Sequence, residues 1–284
     1  MAESVPTIDG AGVRLRRAFG NLQGVNLDPF LLLDEMYSDD PKDTAAGFPY
    51  HPHRGIETMT IMIEGQMNHD DSLGNHGQLK PGDIQYMTGG SGIIHQEMPQ
   101  PELNGYLRGL QLWINLPRTH KMSKPRYQEF KAAAIPTTRI DHGIDVRIYS
   151  GNFNGIDGVV HDIPTQPRIL DISLEPEYKL QDDTPADHTM VLYGLQGEGR
   201  IGSNNQLLKQ GHLAVLTAGD QLKIEALAQD EKFRFMMFSG KPIREPVAWH
   251  GPVVMNTREE LIEAFQDLQQ GTFIRHEYKI NENS

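Results

Sequence analysis

The pattern of hydrophobic and polar positions along the chain predicts many short β-strands. Short apolar runs recur roughly every ten residues, a spacing that is typical of all-β sandwiches and barrels. Thr58-Met-Thr-Ile-Met-Ile63 and Phe233-Arg-Phe-Met-Met-Phe238 are two such runs, and turn-forming Gly, Pro, Asn and Asp residues lie between the runs. The pattern therefore predicts an all-β protein.

One stretch near the middle of the chain departs from this pattern. The segment from Pro117 to Pro136 is charged and contains a further proline, Pro125. We interpret this segment as a linker between two domains. It predicts an N-terminal domain over residues 1–131 and a C-terminal domain over residues 132–284.

The two predicted domains share a layout of turns. Glu64-Gly65 and Gly197-Glu-Gly199 each end an apolar strand, and Lys80-Pro-Gly82-Asp83 and Lys209-Gln-Gly211-His212 each precede an apolar run. This correspondence indicates an internal duplication, in which two barrels of similar design follow one another along the chain.

One helix is predicted near the C-terminus, over about residues 258–270. Thr257-Arg-Glu-Glu260 has the spacing of a capping box, in which a Thr side chain and a Glu side chain each satisfy a backbone N–H group. Leu261, Phe265 and Leu268 follow at helical spacing, and Gly271 ends the helix.

Two short segments carry metal-capable side chains two residues apart. They are His51 with His53, and His95 with Glu97. Successive side chains of a β-strand alternate between faces, so each pair projects to one side of its strand. Two such strands facing each other in a barrel would bring three imidazoles and one carboxylate together. This ligand set suits a divalent transition metal, iron above all.

The alternative is that these histidines are ordinary core or surface residues. Buried histidines without a metal need other hydrogen-bond partners, and the sequence indicates none. The repeated pairing on two strand-like segments therefore favours the metal site. His161, His188, His212 and His250 show no comparable pairing, so we expect the C-terminal domain to bind no metal.

Glu57 is a further candidate residue for the site. Glu57 and Glu97 are the two candidate catalytic residues. Glu57 lies four residues beyond His53, and this even offset would place it in the same cavity. There it could act as a base, accept a hydrogen bond from a ligand imidazole or serve as a fifth ligand. It could equally form a structural ion pair with Arg54. Other neighbours that could contact the ligands are Tyr50 and Gln96.

A second group of metal-capable side chains lies in a segment rich in turn residues. His69, Asp70, Asp71 and His76 could form a surface metal site. Because Asp, Asn, Ser and Gly favour turns, a solvated loop is the better interpretation of this segment.

Composition narrows the classes of function. The chain has 284 residues, no cysteine and a formal net charge of −12. The charge disfavours direct binding to nucleic acid or to an anionic membrane, and the missing cysteines exclude disulfides and zinc–thiolate sites. We see neither a signal peptide nor a run of about 20 apolar residues, so we expect a cytoplasmic protein without membrane contact. We also expect a monomer.

Four motifs together resemble the pirin family of the cupin superfamily, and the resemblance spans nearly the whole chain. They are Phe48-Pro-Tyr-His-Pro-His-Arg-Gly-Ile-Glu57, Gly92-Ile-Ile-His-Gln-Glu-Met-Pro99, Gly109-Leu-Gln-Leu-Trp-Ile-Asn-Leu116 and His250-Gly-Pro-Val-Val-Met-Asn-Thr257. The first motif departs from the general cupin pattern, because three residues rather than five separate Gly47 from His51. Glu57 takes the place of the general cupin glutamate, whereas Glu97 takes the place of the pirin ligand.

The resemblance implies a bicupin fold, with two antiparallel β-barrels packed together and a C-terminal helix against them. It implies a mononuclear Fe(II) held by His51, His53, His95 and Glu97. Nickel, manganese, copper, cobalt or zinc could substitute for the iron. Members of the family include quercetin 2,3-dioxygenases, and others are metal-dependent partners of transcription factors or metabolic enzymes.

Two functional hypotheses follow from the resemblance. In the first, the chain is an oxidoreductase that binds a flavonol and O2, with Glu97 or Glu57 as the base. In the second, the redox state of the metal alters a surface that binds a partner protein, which makes the chain a regulator. We favour the enzyme, because a four-ligand site on a six-coordinate metal leaves two exchangeable positions.

Overall fold

The computed structural model describes residues 1–20, 26–38, 40, 42, 46–100, 106–217, 219–228 and 231–276. Two compact units make up the chain. The first unit comprises Pro6–Arg17, Phe30–Ala132 and Ile243–Ser284, and the second comprises Met1–Val5, Ala18–Pro29 and Ala133–Pro242. Within the described ranges, no helix is both long enough and apolar enough to cross a membrane.

The strands before the middle of the chain are β1 (Ala2–Glu3), β2 (Val5–Asp9), β3 (Val13–Phe19), β4 (Phe30–Ser38), β5 (Phe48–His53), β6 (Ile56–Glu64), β7 (Gln66–Asp71), β8 (His76–Leu79), β9 (Ile84–Thr88), β10 (Ile93–Gln100), β11 (Leu107–Asn115) and β12 (Arg126–Phe130). The later strands are β13 (Thr137–Ile140), β14 (Ile144–Ser150), β15 (Asn152–Phe153), β16 (Ile156–Asp157), β17 (Arg168–Leu174), β18 (Lys179–Asp183), β19 (Thr189–Gln196), β20 (Glu198–Ile201), β21 (Gln206–Lys209), β22 (His212–Val215), β23 (Gln221–Ala226), β24 (Phe233–Gly240), β25 (Ala248–His250) and β26 (Val253–Met255). The all-β prediction is confirmed.

The first unit contains a seven-stranded sheet in the order β12-β9-β6-β11-β4-β3-β2 and a four-stranded sheet in the order β5-β10-β7-β8. The second unit repeats these sizes, with a seven-stranded sheet β1-β22-β19-β24-β17-β14-β13 and a four-stranded sheet β18-β23-β20-β21. Each unit also has a two-stranded ribbon, β25-β26 in the first and β15-β16 in the second. The two units therefore have the similar layout that the turn pattern predicts.

The interiors of the two units differ in chemistry. In the second unit, the buried cluster consists of apolar side chains such as Val146, Leu192 and Phe235. In the first unit, the four-stranded sheet buries His53, His69, His95 and other polar side chains. Burying polar groups is costly unless hydrogen bonds or a bound cation compensate, so the first unit is the one built around a function.

The predicted linker is partly a strand of the first unit. Arg126–Phe130 forms β12, which pairs with β9 at the edge of the seven-stranded sheet. Two short 3₁₀ helices, Arg118–His120 and Ala132–Ala134, flank this strand. All five side chains of β12 are half-buried. Charged residues are common on edge strands. The charge that suggested a linker is therefore also compatible with the edge strand β12.

The predicted helix is confirmed as α1 (Arg258–Gln270). Thr257 accepts a hydrogen bond from the Glu260 N–H group, Glu260 closes the capping box, and Gly271 ends the helix in the left-handed conformation with φ of 72°. The helix belongs to the first unit rather than to the predicted C-terminal domain. There its apolar side chains pack in one cluster with Val253 and Met255 of β26, and a long-range ion pair adds to this contact. Local sequence patterns reveal neither.

That ion pair joins Arg54, at the end of β5, to Asp267 of α1. The Arg54 guanidinium donates to Asp267 Oδ2 at 2.7 Å and to the Phe273 carbonyl at 3.0 Å. It also lies 4.2 Å from the centre of the Phe273 ring, a cation–π contact. Arg54 is 1% exposed, so these contacts compensate a buried charge and fix the C-terminal segment to the first unit.

Glu57 does not share a cavity with His53, contrary to the even-offset prediction. Arg54 and Gly55 interrupt the strand between them, and Gly55 has a φ of 78°. Within β6, Glu57 lies opposite Thr88 and accepts a hydrogen bond from its hydroxyl group at 3.0 Å. Thr60 lies three residues further and so faces the opposite side of the sheet.

We expect Asp267→Asn to lower the free energy of unfolding by about 3 kcal/mol, because the Arg54 guanidinium would stay buried without its carboxylate. Glu263→Gln on the same helix is the matched control. Glu263 pairs with Arg275 at 3.2 Å, but its side chain is 63% exposed, and such surface pairs contribute at most about 1 kcal/mol. Urea unfolding of the metal-free protein measures both values, and equal effects of the two changes would contradict the structural role of Arg54.

Burial raises the pKa of Glu57 from 4.5 to about 7, against the lowering effect of its hydrogen-bond donors. Between these two values the folded state holds the proton more tightly than the unfolded state, so stability falls as the pH rises. We expect Glu57→Gln to remove this fall in stability with rising pH. Its stability relative to the unmodified protein should therefore improve by about 3 kcal/mol between pH 4.5 and pH 8. Unfolding curves of the metal-free proteins test this, and a difference that stays constant with pH would contradict it.

Candidate metal centre

The pairing of β5 with β10 brings the predicted histidines together. His51 lies opposite His95, and Ile93 lies opposite His53. The next pair along the strands is Glu97 with Phe48. From the His95–His51 pair to this pair, β5 contributes three residues and β10 two. The extra residue forms a β-bulge at Pro49 and Tyr50, where proline has no N–H group to give to the ladder.

Three imidazoles converge at this pairing. The Nε2 atoms of His51 and His53 are 3.1 Å apart, and the ring centres of His51 and His95 are 4.3 Å apart. One nitrogen from each of His51, His53 and His95 lies within 4.8 Å of the others. The structure therefore groups these three residues as the sequence predicts.

The hydrogen bonds of these rings fix which nitrogen atoms carry hydrogen. His51 Nδ1 is 2.9 Å from the Pro49 carbonyl oxygen, and His53 Nδ1 is 3.3 Å from the Pro252 carbonyl oxygen. A carbonyl oxygen only accepts hydrogen bonds, so both Nδ1 atoms must donate. When the rings are neutral, neither Nε2 atom carries hydrogen, and each presents a lone pair. His95 Nε2 is buried and has no hydrogen-bond partner. Lone pairs that face each other in a buried site repel, and a cation bound between them removes this cost. The donor set therefore fits a metal ion.

Burial also keeps two of the rings neutral. It lowers the pKa of His53 well below the usual value, and the neighbouring His51 lowers it further. Burial has the same effect on the pKa of His95, with the other imidazoles adding to it. Neutral imidazole is the form that binds metals, so the site is prepared for a cation at physiological pH.

The carboxylate of Glu97 is held by a row of polar side chains on the seven-stranded sheet. Its oxygens accept hydrogen bonds from Thr60 at 3.0 Å, Gln85 at 3.5 Å and Gln111 at 2.8 Å. These three residues are neighbours on β6, β9 and β11, because Thr60 pairs with both Gln85 and Gln111. Glu97 therefore keeps its orientation without help from a metal.

Glu97 belongs to a second group of potential ligands, which overlaps the first at His95. Potential ligand atoms of His69, His95 and Glu97 lie within 4.8 Å of one another. Glu97 is thus brought next to His95, while the group formed with His51 and His53 does not include it. Among the described residues both groups lie in the first unit.

The sequence analysis did not place His69 beside the predicted ligands. It gave His69 only as part of a possible surface site and preferred a solvated loop for this segment. His69 is 1% exposed and lies opposite Glu97 on the neighbouring strand β7, and Asp71 is 8% exposed. Asp70 and His76 do face outward, as the loop interpretation expects, but they lie opposite each other on β7 and β8. The signal was present, because His69 and Asp71 are two residues apart and so share a strand face, like the ligand pairs.

The remaining candidates lie outside both ligand groups. Glu57 lies on the opposite face of β6 and does not pair with Arg54, whose carboxylate partner is Asp267. Gln96 donates to Asp70 at 2.8 Å on the outward side of β10, and Tyr50 is 61% exposed.

The site reaches the surface beside two half-buried tryptophans. The Trp113 ring lies edge-on to His53, with ring centres 5.0 Å apart, and Trp249 lies 6.0 Å from Trp113. His51 is also half-buried, so this side of the site borders solvent. Apolar walls beside a few fixed polar groups are typical of ligand-binding pockets.

A buried lysine holds the ribbon β25-β26 against the site. Lys121 Nζ donates to the carbonyl oxygens of Gly55 at 2.9 Å and Val254 at 2.8 Å, and to Asn115 Oδ1. Burial lowers the pKa of Lys121 to about 7. The ribbon in turn supplies the Pro252 carbonyl that orients His53.

Known proteins match this chain along most of its length. Two family models match it, Pirin over residues 12–114 and Pirin C-terminal cupin domain over residues 169–274. A pirin-like protein of Caulobacter vibrioides is 41% identical and covers 94% of this chain and 95% of its own length. Human pirin is also 41% identical and covers 92% of this chain and 88% of its own length.

A solved structure agrees with these matches. The crystal structure of a quercetin 2,3-dioxygenase from Acinetobacter baumannii has a TM-score of 0.86 and 32% sequence identity, and it covers 96% of both chains. The expected fold of two cupin domains is thereby confirmed, although each domain is built from separate sheets rather than one closed barrel. With this identity and coverage, the chain is a member of the pirin family.

Proposed function

We propose that this protein is a mononuclear non-haem iron protein that cleaves flavonols such as quercetin with O2, a quercetin 2,3-dioxygenase activity. The observation that carries this proposal is the convergence of three imidazoles, in which the Nε2 atoms of His51 and His53 lie 3.1 Å apart beside the unpartnered Nε2 of His95. The likeness to the Acinetobacter quercetin 2,3-dioxygenase supports the choice of substrate.

His51, His53, His95 and Glu97 are the proposed ligands. Three neutral imidazoles and one carboxylate match the donor preferences of Fe(II), although nickel, manganese, copper, cobalt or zinc could compete for the same atoms. A bound iron would supply exchangeable positions for the substrate and O2, and it would lower the pKa of the flavonol hydroxyl group.

Glu97 is the proposed acceptor of the proton from the flavonol 3-hydroxyl group. Thr60 and Gln111 hold its carboxylate, so it need not reorganise before proton transfer. Glu57 is unsuited to this task because it faces away from Thr60 across the sheet. The deprotonated flavonol is electron-rich, and its reaction with O2 would open the central ring with loss of carbon monoxide.

Trp113 and Trp249 are the proposed binding surface for the flat substrate. Both rings are half-buried, and Trp113 contacts His53 directly. Trp113 Nε1 also lies 3.4 Å from Gln111 Oε1, and Gln111 donates to Glu97. The aromatic wall and the proposed base are thus connected through one side chain, which supports their action on the same bound molecule.

The test is single-turnover and steady-state oxidation of quercetin by protein loaded anaerobically with Fe(II). Loss of flavonol absorbance and release of carbon monoxide are followed after O2 is admitted. Turnover should require one equivalent of iron, and His53→Ala should abolish both iron binding and turnover. Iron bound at one equivalent without any turnover would contradict the enzyme and favour the regulatory hypothesis, with a protein partner.

The two glutamates provide a matched pair of variants. We expect Glu97→Gln to lower kcat by at least about 100-fold, because the proton acceptor is lost. Glu57→Gln makes the same chemical change on the other face of the sheet, and we expect it to retain turnover. Iron content is measured for both proteins, so that a loss of metal is not mistaken for a loss of base. The assignment of Glu97 fails if its variant turns over normally.

We expect Trp249→Ala to raise the KM for quercetin roughly five-fold, since one aromatic contact contributes about 1 kcal/mol. Trp249→Phe should restore much of the affinity, because it retains an aromatic ring. Neither change should alter iron affinity or kcat, since the ring contact and the hydrogen bond of Trp249 go to Trp113 and to the Gly251 carbonyl. An unchanged KM in Trp249→Ala would exclude this tryptophan from the binding surface.

A further inference from the structure

A buried hydrogen-bonded chain leads from Asp71 through His69 to His95. His69 Nε2 is 3.2 Å from Asp71 Oδ2, and His69 Nδ1 is 3.5 Å from His95 Nδ1. Asp71 is 8% exposed, His69 1% and His95 0%, so water does not compete with these contacts. Asp71 and His69 are not among the proposed ligands, so their burial next to His95 needs another explanation.

The Asp71 end of the chain can only accept hydrogen bonds. Its Oδ1 accepts from the backbone N–H groups of Leu73 and Asn75, at 2.8 and 3.0 Å. Its Oδ2 accepts from the Asn75 side chain at 2.9 Å. Several donors pointed at one carboxyl group stabilise the ionised form, which has no hydrogen to give. His69 Nε2 must therefore carry the hydrogen in its contact with Asp71.

This end determines the hydrogen positions of the whole chain. A neutral His69 that donates from Nε2 has a bare Nδ1, which can only accept. The facing His95 Nδ1 must then donate. A neutral His95 that donates from Nδ1 has a bare Nε2, and this is the buried atom that lacks a hydrogen-bond partner.

We propose that Asp71 and His69 form a positioning pair, which fixes the tautomer of His95 and presents its Nε2 lone pair to the metal. This inference rests on the metal site proposed above. Hydrogen bonds of this kind to the second nitrogen of a ligand imidazole set its orientation and its basicity. His51 and His53 donate in the same way from Nδ1 to the Pro49 and Pro252 carbonyls. All three imidazoles are therefore oriented by a hydrogen bond at Nδ1.

The ring of His69 is itself held in place. Tyr127 stacks on it, with ring centres 4.5 Å apart and planes at 23°, and the Tyr127 hydroxyl donates to Glu129 at 2.9 Å. Gly77 is the cross-strand neighbour of His69, and a Cβ atom there would lie 2.0 Å from the Tyr127 hydroxyl oxygen. The absent side chain at residue 77 therefore makes room for the stacked ring.

Three substitutions separate positioning from general stability. His69→Phe retains a ring against Tyr127 and removes the acceptor for His95. His69→Asn retains an oxygen acceptor near the position of Nδ1, so it is the conservative variant. His76→Phe is the matched control, because His76 pairs with Asp70 in a similar His–Asp contact, but its side chain is 78% exposed.

The measurements are the tautomer of His95 by long-range 1H–15N correlation NMR and the dissociation constant for Zn(II) by chelator competition. Neither depends on turnover. In the metal-free protein we expect His95 with hydrogen on Nδ1, and on zinc binding we expect Nε2 to become the ligand. His69→Phe should weaken zinc binding by about 10- to 100-fold and mix the His95 tautomers. His69→Asn and His76→Phe should remain close to the unmodified protein.

Several results would overturn the positioning pair. They are a His95 with hydrogen on Nε2 in the metal-free protein, His69→Phe with unchanged tautomer and zinc affinity, or a metal-bound signature on His69 itself, which would make His69 a ligand. Failure of the proposed metal site gives a different result, because unmodified protein would then bind no zinc while the His95 tautomer could still be read.

Discussion

The pairing of β5 with β10 is the constraint on which the rest of the first unit depends. Backbone hydrogen bonds place His51 directly opposite His95, and strand alternation adds His53 to the same side. A shift by one residue would turn these side chains to the other face and disperse the site. The bulge at Pro49 follows this pairing, and the Pro49 carbonyl accepts a hydrogen bond from His51.

The site also needs both sheets of its unit. The four-stranded sheet supplies the imidazoles and Glu97, whereas the seven-stranded sheet supplies Thr60, Gln85 and Gln111, which hold the Glu97 carboxylate. The distant ribbon β25-β26 supplies the Pro252 carbonyl for His53. His53 and Glu97 are therefore oriented by other elements, and His51 by the Pro49 carbonyl of its own strand, before a cation arrives. This reduces the ordering cost of binding.

A site of this kind places repulsive lone pairs in a buried interior, and so it costs stability in the absence of a cation. The apolar core of the second unit carries no such cost. The two units of similar layout therefore differ in one respect: the first groups imidazoles and a carboxylate in its interior, whereas the buried cluster of the second consists of apolar side chains. The C-terminal helix α1 belongs to the first unit, where Asp267 forms an ion pair with Arg54.

Sequence patterns predicted the strands, the capped helix and each pair of ligand side chains, because these depend on periodicities within single elements. The meeting of the two pairs was also expected, but between strands that face each other, whereas β5 and β10 are hydrogen-bonded neighbours in one sheet. The same reasoning failed where an element was interrupted. Arg54 and Gly55 end β5, so the parity that linked His53 to Glu57 was lost. Turn-forming neighbours made a solvated loop the better interpretation of the segment that follows Asn68, and this concealed the burial of His69 and Asp71. Long-range pairings, such as that between Arg54 and Asp267, have no local signature at all.

The most direct test of the account is anomalous diffraction at the iron absorption edge from crystals loaded anaerobically with Fe(II). The account predicts one peak within bonding distance of the Nε2 atoms of His51, His53 and His95 and of a Glu97 carboxylate oxygen. A peak at His69 and away from His51 and His53, or bound iron elsewhere in the chain, would contradict it.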